Sequence, residues 1–266
     1  MLDLEIEDMY QKAYIRAKCF KGLFTHDISN LFHIISNSLE LCENLIKTGV
    51  SIAEILDYFK LMAEQINRGK KLVRNIRKLS ELEESEMLLE PIDLFKSLKS
   101  AIQFVQINFP NRNIIIDINS ETENIFVNAN NLLVDVFENI LINSIVYNKN
   151  EIIHNEISIS EINESRKEFI KIEFRDNGIG IDDARKKEVL QERYKKSENS
   201  KGMGIGLSLV AKLINLCEGR MWIEDRIRGD SSKGSNFVIL IPKATQKELF
   251  YHLYQRKLKM EKGGRL

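Results

Sequence analysis

The sequence predicts an α+β protein, a helical hairpin followed by an α/β sandwich, and three observations predict it. Steps of three and four between apolar residues persist from Leu4 to Lys47 and again from Ile52 to Glu83, with no proline in either stretch. The pattern changes at Glu90-Pro91. Beyond that point helix-period segments mix with runs that alternate apolar and polar residues, as half-buried strands do.

In the first helix the apolar seam runs through Ile28, Leu31, Ile35, Leu39, Cys42 and Leu45. Thr48-Gly49-Val50-Ser51 breaks it, with Gly49 suited to a C-cap and Ser51 to an N-cap. The second helix carries Ile55, Phe59, Met62, Ile66, Val73, Ile76 and Leu79 on its seam. One hairpin buries little apolar surface, so two hairpins are expected to pair as a four-helix bundle in a homodimer.

After Pro91, Leu94–Asn108 reads as a helix, Asn113–Ile118 as a strand and Asn130–Tyr147 as a helix. Glu156–Ile162 and Glu168–Arg175 read as a hairpin turning across Asn163 to Arg166. Arg220–Asp225 and Asn236–Ile241 read as a last pair of strands, and helices layered on such a sheet make the sandwich. Ala244 to Glu261 reads as an amphipathic helix, either packed through Phe250, Leu253 and Tyr254 or loosely docked. The expected domains are a hairpin over 1–86, a sandwich over 87–243 and a helical tail over 244–266.

The 266 residues are 43% hydrophobic and 29% charged, which places the chain among ordinary globular proteins. The formal net charge is +0, so electrostatics give no case for a nucleic acid or an anionic membrane as partner. Cys19, Cys42 and Cys217 are scattered, with neither metal-ligand spacing nor a disulfide framework, and a reducing cytoplasm is expected. No apolar run has the length of a membrane span.

The stretch that carries chemistry runs from Asp176 to Leu207. Asp176-Asn177-Gly178-Ile179-Gly180 follows the strand ending at Arg175. A charged interval comes next, then Gly202-Met203-Gly204-Ile205-Gly206-Leu207 opens a helix. Glycines let backbone approach a ligand closely, and N–H groups at a helix start hold phosphate.

These motifs, in this order, resemble those of the sensor histidine kinases of two-component signalling. The second half is similar to the GHKL superfamily, which also holds gyrase-type ATPases and heat-shock chaperones. Phe24-Thr25-His26-Asp27-Ile28-Ser29-Asn30 resembles the phosphoacceptor box. Asn139-Ile140-Leu141-Ile142-Asn143-Ser144-Ile145-Val146-Tyr147 resembles the magnesium box. Asp176, Gly178 and Gly180 match one glycine box, Gly202, Gly204 and Gly206 the other, and Gly234-Ser235-Asn236-Phe237 the closing strand.

The resemblance implies a GHKL-type ATP-binding domain with ATP and Mg²⁺ as cofactors. Asp176 would accept a hydrogen bond from the adenine amino group, and Tyr147 would lie against the ring. Asn143 would bind Mg²⁺ through its amide oxygen, a hard ligand for a hard cation. Asn139, Lys201, Leu207 and Ser235 would complete the nucleotide site with the glycines. Asp183 to Lys201 would form a mobile lid, with Arg193, Lys195, Lys196 or Lys201 reaching the γ-phosphate. In the ATPase branches a glutamate stands four residues before the magnesium Asn; here that position is Asn139, a poor general base. The site thus suits holding ATP while another group attacks.

That group would be His26. At about 100° per residue, His26 falls roughly 200° from Phe24 on the helix, away from the seam and beside Asn30, His33 and Asn37. Asp27 would orient the ring and take its proton. The expected function is ATP-dependent autophosphorylation of His26 and transfer to the aspartate of a response-regulator receiver domain. Asn30, one turn on, would place water for the reverse dephosphorylation. Few residues precede the box, which assigns signal input to an unidentified sensor or partner. Three departures stand out. Leu31 replaces the family's proline, Val146 its lysine, and Arg220 a glycine after Gly219. The first two favour the alternative of a degenerate kinase that relays phosphate or docks a partner without turnover.

Overall fold

A computed structural model describes residues 28–48, 52–84, 89–164, 167–190 and 205–263. The chain divides into two compact units between Glu81 and Leu82.

The first unit contains α1 (Ser29–Thr48) and α2 (Ile52–Glu84). Along α1 the inward positions are Leu31, Ile35, Ser38, Cys42 and Leu45; along α2 they are Ile55, Tyr58, Met62, Gln65 and Gly69. Both series step by three and four, so each helix keeps one stripe turned inward. This differs from the predicted seam. Phe32, Leu39 and Ile46 on α1, and Phe59, Ile66 and Val73 on α2, are each between 47% and 64% exposed. Each trio repeats every seven residues, a second apolar stripe that the single chain leaves uncovered.

The second unit begins with β1 (Glu90–Asp93), which runs into α3 (Leu94–Asn108). Asp93 caps α3, its carboxylate accepting from Lys96 N at 2.9 Å. Then come β2 (Asn113–Ser120), β3 (Phe126–Ala129), α4 (Leu133–Val146), β4 (Ile152–Glu164) and β5 (Lys167–Asp176). α5 (Asp183–Leu190), α6 (Ile205–Leu216), β6 (Arg220–Ile227), β7 (Asp230–Pro242) and α7 (Gln246–Gly263) complete it. The main sheet has order β2-β4-β5-β7-β6; β2 and β4 are parallel and every other pair is antiparallel. β1 and β3 pair antiparallel as a small second sheet.

One face of the sheet carries the helices, with α4 packed against α3 and α6. Along β4 the inward residues are Ile153, Asn155, Ile157 and Ile159, and along β5 Ile170, Ile172, Phe174 and Asp176. They meet Val136, Phe137, Ile140, Leu141 and Ile145 of α4, all buried, and the rings of Phe137 and Phe174 lie 5.6 Å apart at 40°. Lys171, Glu173 and Arg175 alternate onto the other face and pair with one another there. The strand period therefore delivers Asp176 to the helix side of the sheet, at the end of β5.

Three elements differ from the sequence reading. The sequence reading assigns no strand at β1 or β3. The first eight residues of the expected lid form α5, tied down by Lys186, which bridges Asp183 on its own helix and Asp225 on β6. α7 opens with a capping box, Glu248 accepting from Thr245 N at 2.8 Å and Thr245 Oγ1 from Glu248 N at 3.2 Å. It docks on the small sheet through Glu248 on Asn128 and His252 beside Glu90. No helix among the described residues is long and apolar enough to cross a membrane.

Candidate functional site

The site is built where α4 ends beside the turn that follows β5. Asp176 is 5% exposed, and its Oδ1 accepts from Gly178 N at 2.8 Å and from Ser235 N, on β7, at 3.3 Å. Both bonds land on one oxygen, so the carboxylate is oriented rather than free to rotate. Burial pushes its pKa up, against the two backbone N–H bonds and the Arg226 charge, which pull it down.

The turn is packed too closely for side chains. Gly180 has φ +69° and Gly234 φ +111°. A Cβ at Gly180 would stand 1.6 Å from Ser231 O, and one at Gly234 1.9 Å from Asp176 O. Only glycine fits either position. A Cβ at Gly178 would meet Asp176 Oδ1 at 2.8 Å and Tyr147 O at 2.9 Å. The turn is thus wedged between the α4 C-terminus and the β6–β7 hairpin.

From α4 come Asn139, Asn143 and, at its C-cap, Tyr147. Tyr147 O accepts from Ile179 N at 3.1 Å, which ties the α4 C-terminus to the turn after β5. Asn143 is half-buried. Asn139 is buried and donates Nδ2 to Asp135 O at 2.8 Å, while its Oδ1 has no partner among the described residues. No cluster of three His, Cys, Asp or Glu side chains forms a metal cage among the described residues. Neutral amide oxygens alone are weak ligands, so this donor set fits a Mg²⁺ that arrives with nucleotide phosphates.

The structure therefore brings together Tyr147, Asp176, Gly178, Gly180 and Ser235, with Asn143 and Asn139 one and two turns back along α4. Gly206 lies in the first turn of α6, and Leu207, half-buried, follows it. Asn30 sits half-buried near the start of α1, in the first unit. His26, Asp27, Lys201, Gly202 and Gly204 lie outside the described residues.

The sequence reading missed an asparagine clamp. Asn148 Nδ2 donates to Asn177 Oδ1 at 2.7 Å, and the same oxygen accepts from His154 N at 2.9 Å. Asn177 Nδ2 donates to Ile152 O at 3.0 Å, and Asn150 Nδ2 to Asn177 O at 2.5 Å. The Asn148-Lys149-Asn150 tripeptide after a helix was the available signal, since asparagine favours such turns. A cleft of about 690 Å³ is lined by Asn177, Gly178 and Ile179 of the turn together with Glu156, Arg175 and Arg226.

Residues 128–245 match the family described as histidine kinase-, DNA gyrase B- and HSP90-like ATPases. The chain is 25% identical over 156 residues to the adaptive-response sensory kinase SasA of Synechocystis, covering 57% of this chain and 38% of the relative. It is 24% identical over 227 residues to the sensor-like histidine kinase ycf26 of Porphyra purpurea, covering 77% of this chain and 34% of the relative. Residues 128–245 thus match an ATPase family that includes histidine kinases, and both of these relatives are named as sensory or sensor-like kinases. The chain spans little more than a third of the length of these two relatives. In fold it is similar to the histidine kinase ThkA solved in complex with response regulator protein TrrA, at TM-score 0.58 and 17% identity, covering 89% of this chain and 66% of that one. The turn holding Asp176 and the α4 C-terminus lie within the residues that match the ATPase family.

Proposed function

We propose that the chain is an ATP-dependent protein-histidine kinase that phosphorylates His26 and passes the phosphoryl group to a receiver aspartate. The observation that carries the reading is the Asp176 carboxylate. It is buried at a strand end, held by two backbone N–H groups on Oδ1, and able to accept at Oδ2. In this reading Oδ2 accepts a hydrogen bond from the adenine amino group. Asn143 holds the cation, and when bound Mg²⁺ offsets the charge on the transferring phosphoryl group. Gly202, Gly204 and Gly206 would hold the phosphates, with Lys201 toward the γ-phosphate. Asn139 gives no carboxylate base, which leaves the nucleotide to His26, with Asp27 taking the ring proton.

The uncovered heptad stripes support a homodimer. Phe32, Leu39 and Ile46 with Phe59, Ile66 and Val73 supply the second seam that a four-helix bundle buries. ThkA was solved with a response regulator as its partner, and a receiver is proposed here by the same chemistry. The proposed division is a phosphotransfer hairpin over 1–86, an ATP-binding domain over 87–243 and a tail over 244–266, in a cytoplasmic protein.

The test is incubation with γ-labelled ATP. Acid-labile, base-stable label on the wild type, absent from His26→Gln, supports the reading. Steady release of inorganic phosphate without label indicates an ATPase. Nucleotide binding without label or release indicates the degenerate relay, which Val146 in place of a phosphate-facing lysine favours.

A further inference from the structure

Asn155 is a buried amide in a place where the strand pattern asks for an aliphatic residue. It follows Ile153 and precedes Ile157 and Ile159 on the inner face of β4, and it is 1% exposed. Its Nδ2 has no hydrogen-bond partner among the described residues. A buried amide donor left unpaired is costly, so its persistence asks for a partner.

The register of the sheet says where that partner sits. Asn155 is the cross-strand partner of Asp176. The next pair out, His154 and Asn177, is joined by Asn177 N donating to His154 O at 3.2 Å. Hydrogen-bonded and non-hydrogen-bonded pairs alternate along an antiparallel ladder, so Asn155 and Asp176 form a non-hydrogen-bonded pair, the kind whose Cα atoms lie only about 4.5 Å apart. The two side chains stand next to each other on one face. Asp176 Oδ1 is committed to Gly178 and Ser235. The pair therefore offers a ligand one acceptor, Asp176 Oδ2, with one donor, Asn155 Nδ2, beside it.

We infer that Asn155 is a second base-reading residue, donating to the purine ring nitrogen adjacent to the amino group that Asp176 accepts. The inference rests on the nucleotide reading proposed above. Adenine carries a donor, the 6-amino group, next to an acceptor, N1, and the Asp176–Asn155 pair is the complement of that edge. The amide reaches N1 directly or through one ordered water, since a buried water satisfies such a group equally well.

The experiment measures binding of Mg-ATP and of 1-deaza-ATP, in which C–H replaces N1, to the whole chain and to Asn155→Leu. Leucine keeps the branched shape of asparagine and removes the unpaired donor, so the melting temperature of the unliganded variant stays equal or rises. The wild type is expected to prefer ATP over 1-deaza-ATP by about tenfold, the worth of one hydrogen bond, and Asn155→Leu to lose that preference by weakening ATP alone. Asn155→Leu binding ATP as tightly as the wild type, or keeping the full preference, overturns the assignment while leaving the ATP site in place. A wild type that binds neither nucleotide overturns the nucleotide reading itself, and this inference with it.

Discussion

Replacing Asp176 by asparagine separates binding from stability. Gly178 N and Ser235 N both donate to the Oδ1 position, so the new amide must put its oxygen there. That forces its nitrogen into the Oδ2 position, where a donor now faces the adenine amino group. Losing a hydrogen bond to a charged acceptor and opposing two donors costs about 3 kcal/mol, or roughly 150-fold in affinity. With Mg-ATP at about 100 times the wild-type dissociation constant, ligand stabilisation is about 2.7 kcal/mol, which raises the melting temperature by roughly 5–11 °C in a unit of this size. The variant at the same concentration should move by only about 1 °C. Unliganded stability should go the other way. The folded pKa of Asp176 is raised above its ordinary 3.8 by burial, so the folded state holds the proton more tightly than the unfolded chain. Its contribution is therefore most favourable at low pH and is lost as pH rises through the raised value. The substituted amide carries no charge, so the melting temperature of Asp176→Asn relative to wild type should climb between acid and neutral pH. Scanning fluorimetry across pH, with and without nucleotide, reads both effects. A variant that keeps the ATP shift, or whose unliganded melting temperature drops at neutral pH, refutes the reasoning.

Val146 is half-exposed at the last turn of α4, so Val146→Lys adds a cation without overpacking and should tighten ATP several-fold, as measured by titration calorimetry. Leu39→Asp together with Ile66→Asp places charges in the uncovered stripe and should convert the proposed dimer to monomer by light scattering while helix content holds; a variant that stays dimeric, or a wild type that is monomeric, removes the bundle. Gly234→Ala brings a Cβ to 1.9 Å from Asp176 O at φ +111° and should destabilise the second unit by roughly 3 kcal/mol or more in urea unfolding. Asn30→Ala should keep His26 labelling yet slow the decay of a pre-phosphorylated receiver; equal decay with both proteins, each faster than the receiver alone, denies Asn30 that role.

Local pattern carried most of the elements. The 3.6-residue period of α3 and α4 and the alternation of β4 and β5 are properties of short windows, and the residues that start and stop them are nearby. Asp176, Gly178 and Gly180 were legible for the same reason, because a turn is a local object. β1 and β3 were not: each is four residues long, one contains Pro91, and the strand each pairs with along its length is the other, more than thirty residues away. α5 has no apolar stripe to read, and what anchors it is Asp225, 39 residues from Lys186. In the hairpin, apolar residues lie on two stripes of each helix, and pattern cannot say which one faces the helix beside it. Packing chose Ser38, Cys42, Tyr58 and Met62 for the inside and left Leu39, Phe59, Ile66 and Val73 out. The same limit hid Asn155. Its identity is plain in the chain, but its meaning depends on a strand register that sets it opposite Asp176, and on a Ser235 N–H from β7 that holds the carboxylate in place. His26, Asp27, Lys201, Gly202 and Gly204 stand on the sequence motifs and the resemblance they carry. The orientation of the Asp176 carboxylate came from the turn after β5 meeting β7.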